Sequence, residues 1–157
     1  MEFRRAKKEE LETIYNLYKS VLGSPYCVWD EDYPSWFDLN EDDERGTLYV
    51  MTENNQILGA ISIIVHNELD ELDFWTLQDA RELARVAVSP AHQGKGIAQK
   101  MVAEIAEVLR GQGVSSIHLL VAEANLPAQK VYEKAGFQTR GRCFMFGHDY
   151  FGCELAL

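Results

Sequence analysis

The stretch from Leu83 to Arg110 constrains this chain most, because hydrophobic spacing changes from strand to helix within it. It opens with the β-rich run Leu83-Ala84-Arg85-Val86-Ala87-Val88, which Ser89-Pro90 stops. Gly94 and Gly96 follow. Apolar residues then recur at Ile97, Met101, Val102, Ile105, Val108 and Leu109, the rhythm of one helical face. Gln99, Lys100, Glu104, Glu107 and Arg110 fill the other face, and Gly111 and Gly113 end the helix. The unit is strand, glycine-rich turn, helix.

Such a unit can bind an anion. The first turn of a helix leaves backbone N–H groups without intrahelical partners, and the helix dipole adds partial positive charge there. Glycines let a phosphate approach those amides without a Cβ in the way, and Lys95 contributes a formal charge. A phosphate or pyrophosphate at residues 93–99 is one reading. A tight turn that needs glycine only for its backbone angles is the other.

Spacing excludes two phosphate motifs. The Walker A pattern requires Gly-Lys-Ser/Thr after a four-residue gap, and Gly96 is followed by no such run. The dinucleotide fingerprint needs a small residue three positions after its second glycine, where this chain has Gln99. The stretch Gln93-Gly94-Lys95-Gly96-Ile97-Ala98 instead matches Gln/Arg-x-x-Gly-x-Gly/Ala. It resembles the coenzyme A pyrophosphate loop of the GNAT superfamily of acyl-CoA-dependent N-acetyltransferases, and the preceding Leu-x-Arg-Val-Ala-Val-Ser-Pro is what that family places before its loop.

The rest of the chain is read in order. Phe3 to Ala6 reads as a short strand, and Lys8 to Leu22 as an amphipathic helix stopped by Gly23. Residues 24–45 interleave aromatics, among them Trp29 and Tyr33, with many acids. That composition suits a pocket for a cationic amine through cation–π contact and charge neutralisation; a loop pinned by its aromatics with its acids in water explains it too. Glu41 to Arg45 is read as a short helix. Thr47–Met51 and Ile57–Val65 form a hairpin around Glu53-Asn54-Asn55, and Gly59 signals a bulge or close backbone contact. Residues 66–80 are a second acidic loop, carrying Phe74 and Trp75. Ser116 to Val121 lacks polar alternation, as expected of a strand covered on both faces. Asn125 and Pro127 open a helix over Ala128–Ala135, and a closing hairpin joins Phe137–Phe146 to Tyr150–Ala156.

Asn125-x-x-Ala128-x-x-Val131-Tyr132-Glu133-Lys134-Ala135-Gly136-Phe137 resembles the second GNAT motif, Asn-x-x-Ala-x-x-x-Tyr-x-x-x-Gly-Phe. Two motifs in the expected order are more specific than either alone. The resemblance implies a mixed α/β fold: one domain over 1–157, a central twisted sheet of about seven strands flanked by about four helices. Two splayed strands, Glu82–Val88 and Ser116–Val121, would form the acetyl-CoA cleft. Backbone groups at Val86, Ala87 and Val88 would meet the pantetheine arm and the thioester carbonyl. Gln93, Gly94, Lys95, Gly96, Ile97, Ala98 and Gln99 would hold the pyrophosphate, and Asn125 would contact the coenzyme near the second helix.

The same resemblance makes Tyr132 the general acid and Glu82 the base acting through water. Tyr132 could instead pack its helix onto the sheet, and Glu82 could be a surface charge or pair with Arg81 or Arg85. His118 could stand in as base, though a lone His in an apolar run also serves as a core residue. The implied reaction is direct acetyl transfer in a ternary complex to a primary amine, small or peptidic, bound near Trp29, Tyr33 and Glu82. A non-catalytic acyl-CoA-binding or regulatory module with the same fold is the alternative.

Composition narrows the partners. The net charge of −10 argues against nucleic acid and against an anionic membrane surface, and suits a cationic small molecule. No apolar run approaches the ~20 residues of a membrane span, and the N-terminus lacks a signal-peptide core. Three cysteines without paired spacing suggest a reduced, cytoplasmic protein. No His/Cys spacing suggests a metal. Phe144, Met145, Phe146, Tyr150 and Phe151 form a patch that a homodimer or ordinary core packing would use.

Overall fold

A computed structural model describes residues 1–157. Its elements run β1 (Glu2–Arg5), α1 (Leu11–Ser20), α2 (Trp36–Glu44), β2 (Leu48–Glu53), β3 (Gln56–Ile64), β4 (Arg81–Val88), α3 (Ile97–Gly111), β5 (Ser116–Ala122), α4 (Leu126–Lys134), β6 (Gln138–Met145) and β7 (His148–Ala156). The strands make one sheet in the order β1-β2-β3-β4-β5-β7-β6. Only β4 and β5 run parallel, joined across α3. The expected seven strands and four helices are all present, in the expected order.

Both faces of the sheet are covered, and β2 shows why its residues are buried almost without interruption. Leu48 and Val50 face α1 and α2 with Leu11, Ile14, Tyr18 and Leu39. Tyr49 and Met51 face the opposite way, into the core under α3 with Met101, Val102 and Ile105. The period-2 alternation of a strand thus feeds two cores. Gly59 stands where β4 and α3 both come close: a Cβ there would lie 2.9 Å from the Ala87 carbonyl and 2.9 Å from the Met101 methyl.

Most elements begin or end one to three residues from the sequence reading, and two of the differences have a clear local cause. Helix α2 starts at Trp36, five residues before the expected Glu41, because Ser35 and Asp38 form a reciprocal cap: Asp38 N–H donates to Ser35 Oγ (3.1 Å), and Ser35 N–H to Asp38 Oδ2 (2.9 Å). The closing hairpin turns on Phe146-Gly147, both at positive φ, so β7 begins at His148 and not at Tyr150.

Candidate functional site

The two parallel strands part company. Arg81 pairs with Ile117 and Glu82 with His118, and beyond Glu82 strand β4 has no partner on β5. At the same point β4 is bulged against β3: Ser62 pairs with Ala84 and Ala60 with Ala87, so Arg85 and Val86 together oppose Ile61. Arg85 takes φ 50°, a left-handed conformation that costs an L side chain about 1–2 kcal/mol.

That cost is offset by where the bulge sends the guanidinium. Arg85 Nε and Nη2 each donate to Asp42 at 2.8 Å, and Nη1 donates to the Tyr33 hydroxyl at 3.0 Å. Ser62 Oγ donates to Asp42 Oδ2 at 2.7 Å. The Arg85 and Asp42 side chains are 10% and 2% exposed. The network fastens α2 and the segment carrying Tyr33 to the bulge.

A cavity of about 850 Å³ occupies the opening between β4 and β5. Val86, Val88, Gln93, Asn125 and Tyr132 line it toward α4, and Trp29, Tyr33, Glu82 and Arg85 toward the irregular segment before α2. The structure therefore gathers both candidate catalytic residues, the candidate acceptor residues and part of the candidate coenzyme set in one space. Ala87 also borders it, but its side chain is buried in the core beneath α1.

Glu82 pairs with neither Arg81 nor Arg85. Its carboxylate accepts a hydrogen bond from Asn67 Nδ2. Burial pushes Glu82 up to about 7, with Glu68 and Asp70 acting in the same direction, against the Asn67 hydrogen bond and the Arg85 charge. A carboxyl titrating there is matched to proton transfer near neutral pH. His118 is excluded from the cavity lining: it is 3% exposed, tilted against Trp75 at 4.5 Å, with Nε2 3.3 Å from Asp70 and its basicity lowered by burial.

Tyr132 is 8% exposed, packs edge-on against Phe137, and still reaches the cavity wall. Burial raises its pKa, so its phenol stays protonated at any working pH. Asn125 caps α4, its Oδ1 accepting from Ala128 N–H at 3.2 Å, which leaves its amide nitrogen for other partners. Gln93 turns back toward β4 and donates to the Val88 carbonyl at 3.1 Å.

The glycine turn lies outside the cavity lining but opens directly onto α3. Gly94 and Gly96 have φ 77° and 80°, and a Cβ on either would meet nothing within 4 Å. Glycine is required there by the backbone angles, and the space above it is open. The first intrahelical bond of α3 runs from Lys100 N–H to the Gly96 carbonyl (3.1 Å), so the preceding amides are free for an anion. Lys95 and Gln99 are exposed beside them, whereas the Ile97 side chain turns into the core (4% exposed) and offers only its backbone. These features fit the diphosphate end of a coenzyme A molecule. No cluster of three or more His, Cys, Asp or Glu side chains is arranged as a metal site.

Three residues escaped the sequence reading. Asp42 and Arg85 were an acid in an acidic run and a base in a strand, and only the bulge brings them together. Asn67 had a local signal: Asn followed by Glu-Leu-Asp is a helix-cap pattern.

The chain is 30% identical over 135 residues to an L-2,4-diaminobutyric acid acetyltransferase of Oceanobacillus iheyensis, covering 83% of this chain and 65% of that one. It is 39% identical over 62 residues to a [ribosomal protein bS18]-alanine N-acetyltransferase of Haemophilus ducreyi, a match spanning 40% of this chain and only 43% of that relative's length. In structure it resembles a GNAT-family acetyltransferase of Streptococcus agalactiae (TM-score 0.83, 20% identity, 99% and 95% of the two chains). It also resembles yncA of Salmonella typhimurium, solved with its cofactor acetyl-CoA (TM-score 0.78, 21% identity, 100% and 94% covered). Residues 9–137 match the model of the acetyltransferase (GNAT) family, and the chain belongs to that family.

Proposed function

We propose that this acetyltransferase moves the acetyl group of acetyl-CoA directly to the primary amine of a small cationic molecule. The observation that carries this reading is the charge balance of the acceptor side of the cavity. Asp42 is neutralised by Arg85 and Glu41 by Arg45, while Asp38 is spent on the cap of α2. Asp30, Glu68 and Glu82 line the same space with no cationic side chain paired to them. Trp29 and Tyr33, 6.4 Å apart edge to face, line the same cavity as these three carboxylates. Uncompensated carboxylates among aromatic faces favour an ammonium guest.

In this reading Glu82 takes the proton from the acceptor ammonium, directly or through one water. The freed nitrogen attacks the thioester carbonyl carbon, and backbone N–H groups of the unpaired half of β4, at Val86 and Val88, stabilise the oxyanion. When the C–S bond breaks, Tyr132 gives its proton to the departing sulfur, and the surplus proton on the acylated nitrogen returns through water to the Tyr132 phenolate, leaving a neutral amide and the free thiol. The amides and charge at Gln93, Gly94, Lys95, Gly96, Ile97, Ala98 and Gln99 hold the diphosphate, and Asn125 contacts the pantetheine side.

A peptide N-terminus is the second reading. It is favoured by the relatives named for ribosomal-protein alanine and by the exposed aromatic rim: Phe146, 66% exposed, and Tyr26, 42% exposed, both border the cavity.

Release of free coenzyme A against polyamines, diamino acids, aminoglycosides, neutral amino acids and alanine-starting peptides separates the two. The proposal expects turnover with dicationic acceptors and little with neutral ones. Turnover confined to peptides replaces it with the second reading.

A further inference from the structure

The loop between β3 and β4 lines the cleft with His66, Asn67, Glu68 and Leu69, and it holds the Asn67 amide in a fixed orientation. Asn67 caps a single 3₁₀ turn, Glu68–Glu71, and its Oδ1 accepts from Leu69 N–H at 3.0 Å. With the oxygen so engaged, the amide nitrogen must face the other way, and it faces Glu82. An amide held by its oxygen can offer Glu82 only donors.

The turn is itself anchored on the neighbouring strands. Leu69 is 3% exposed, and its carbonyl accepts from Trp75 Nε1 at 2.7 Å. Phe74 lies flat on the cross-strand pair Gly141 and Gly152, where a Cβ on either glycine would come within 2.3 Å of the ring. Glu154, 2% exposed, accepts from the backbone N–H of Thr76 (3.1 Å) and Leu77 (3.1 Å). Burial alone would raise its pKa, but these bonds and those from the Thr76 hydroxyl and Arg140 hold it below the ordinary carboxylate range, so it is an anion at working pH. The loop is tied down at β6 and β7 and delivers the Asn67 donor at β4.

We propose that Asn67 is a positioning residue for acetyl transfer: oriented by the turn it caps, it fixes the Glu82 carboxylate at the point where β4 and β5 part. The inference rests on the assignment of Glu82 as the base. The other groups facing Glu82 do not duplicate Asn67. Arg85, on the same strand, is bound to Asp42. Glu68 and Asp70, from the loop, oppose ionisation. His118, its register neighbour on β5, is buried with lowered basicity, and Tyr33, across the cavity, is a neutral phenol whose pKa burial raises.

The decisive variant is Asn67→Asp, because a carboxylate oxygen keeps the cap on Leu69 while the donor toward Glu82 is lost and a like charge takes its place. Asn67→Ala, which removes both cap and donor, is the companion. A ¹³C carboxyl NMR titration of the free protein, with the Glu82 signal assigned by its absence in Glu82→Gln, needs no acceptor. Both Asn67 variants should raise the Glu82 midpoint, Asn67→Asp by about one pH unit or more, with an acid limb of kcat/KM shifted equally, about tenfold lower at a fixed pH below it. A midpoint unmoved by Asn67→Asp overturns the role of Asn67. Acetyl transfer at the wild-type rate in Glu82→Gln overturns the base assignment instead, and the two failures are read on different signals.

Discussion

The buried Asp42–Arg85 pair makes a prediction that can be worked through from distances alone. Asp42→Ala leaves a guanidinium 10% exposed, with two 2.8 Å hydrogen bonds removed and only Tyr33 as partner. It also strips the Ser62 hydroxyl, buried at 0% exposure, of its acceptor. Breaking one side of a buried pair costs about 3–5 kcal/mol, because the remaining charge is left without compensation. An orphaned buried hydroxyl adds about 1–3 kcal/mol where water does not replace its partner. In urea denaturation a loss of about 4 kcal/mol, at a slope of about 2 kcal/mol per molar, moves the midpoint down by about 2 M. The double variant Asp42→Ala, Arg85→Met removes the stranded charge and should recover a substantial part of that loss. A loss below about 1 kcal/mol for Asp42→Ala, as exposed pairs give, would refute the claim that this pair holds the acceptor wall on the sheet.

Two further outcomes follow from the same structure. Glu82 is ordinarily a carboxylic acid near 4.5 and stands at about 7 in the fold. The folded protein therefore holds the proton more tightly than the unfolded chain, and stability from this group falls as pH rises from about 4.5 through 7. Glu82→Gln should be more stable than wild type at pH 8, by at most about 3 kcal/mol, and indistinguishable near pH 4; a thermal-melt series that shows the reverse order contradicts the buried-carboxyl description. Gly152→Ala would set a Cβ 2.3 Å from the Phe74 ring and 3.1 Å from Trp75. It should lower stability by about 1–3 kcal/mol and expose the 66–80 loop to proteolysis; unchanged cleavage there would show that the loop is held some other way.

The segments legible in the sequence were those whose determinants are local. The apolar spacing of α3, the Asn125 cap of α4 and the paired asparagines of the Asn54-Asn55 turn, both at positive φ, each act within a few residues. Gly59, a glycine inside a strand, signals a close contact, and the contact is with Ala87 and Met101. Helix α2 was misjudged because its apolar face is short: only Leu39 and Asp42 are buried, so the pattern carried little signal, and the Ser35–Asp38 cap was the better clue. The side of the cleft formed by the 66–80 loop was least legible. The contacts of Phe74 with Gly141 and Gly152, of Glu154 with Thr76, and of Asn67 with Glu82 span long stretches of chain, and no periodicity encodes them. Gly141 and Gly152 inside strands were the available hint that something packs on bare backbone there.

The central claim is that Glu82 deprotonates the acceptor amine in the opening between β4 and β5. It is tested most directly by single-turnover transfer from acetyl-CoA to the best amine of the panel at pH 8, in wild type and Glu82→Gln, with coenzyme A affinity measured alongside. Transfer should be slower by about 10²-fold or more in the variant, with affinity for coenzyme A unchanged. Equal transfer rates in the two proteins would contradict that claim.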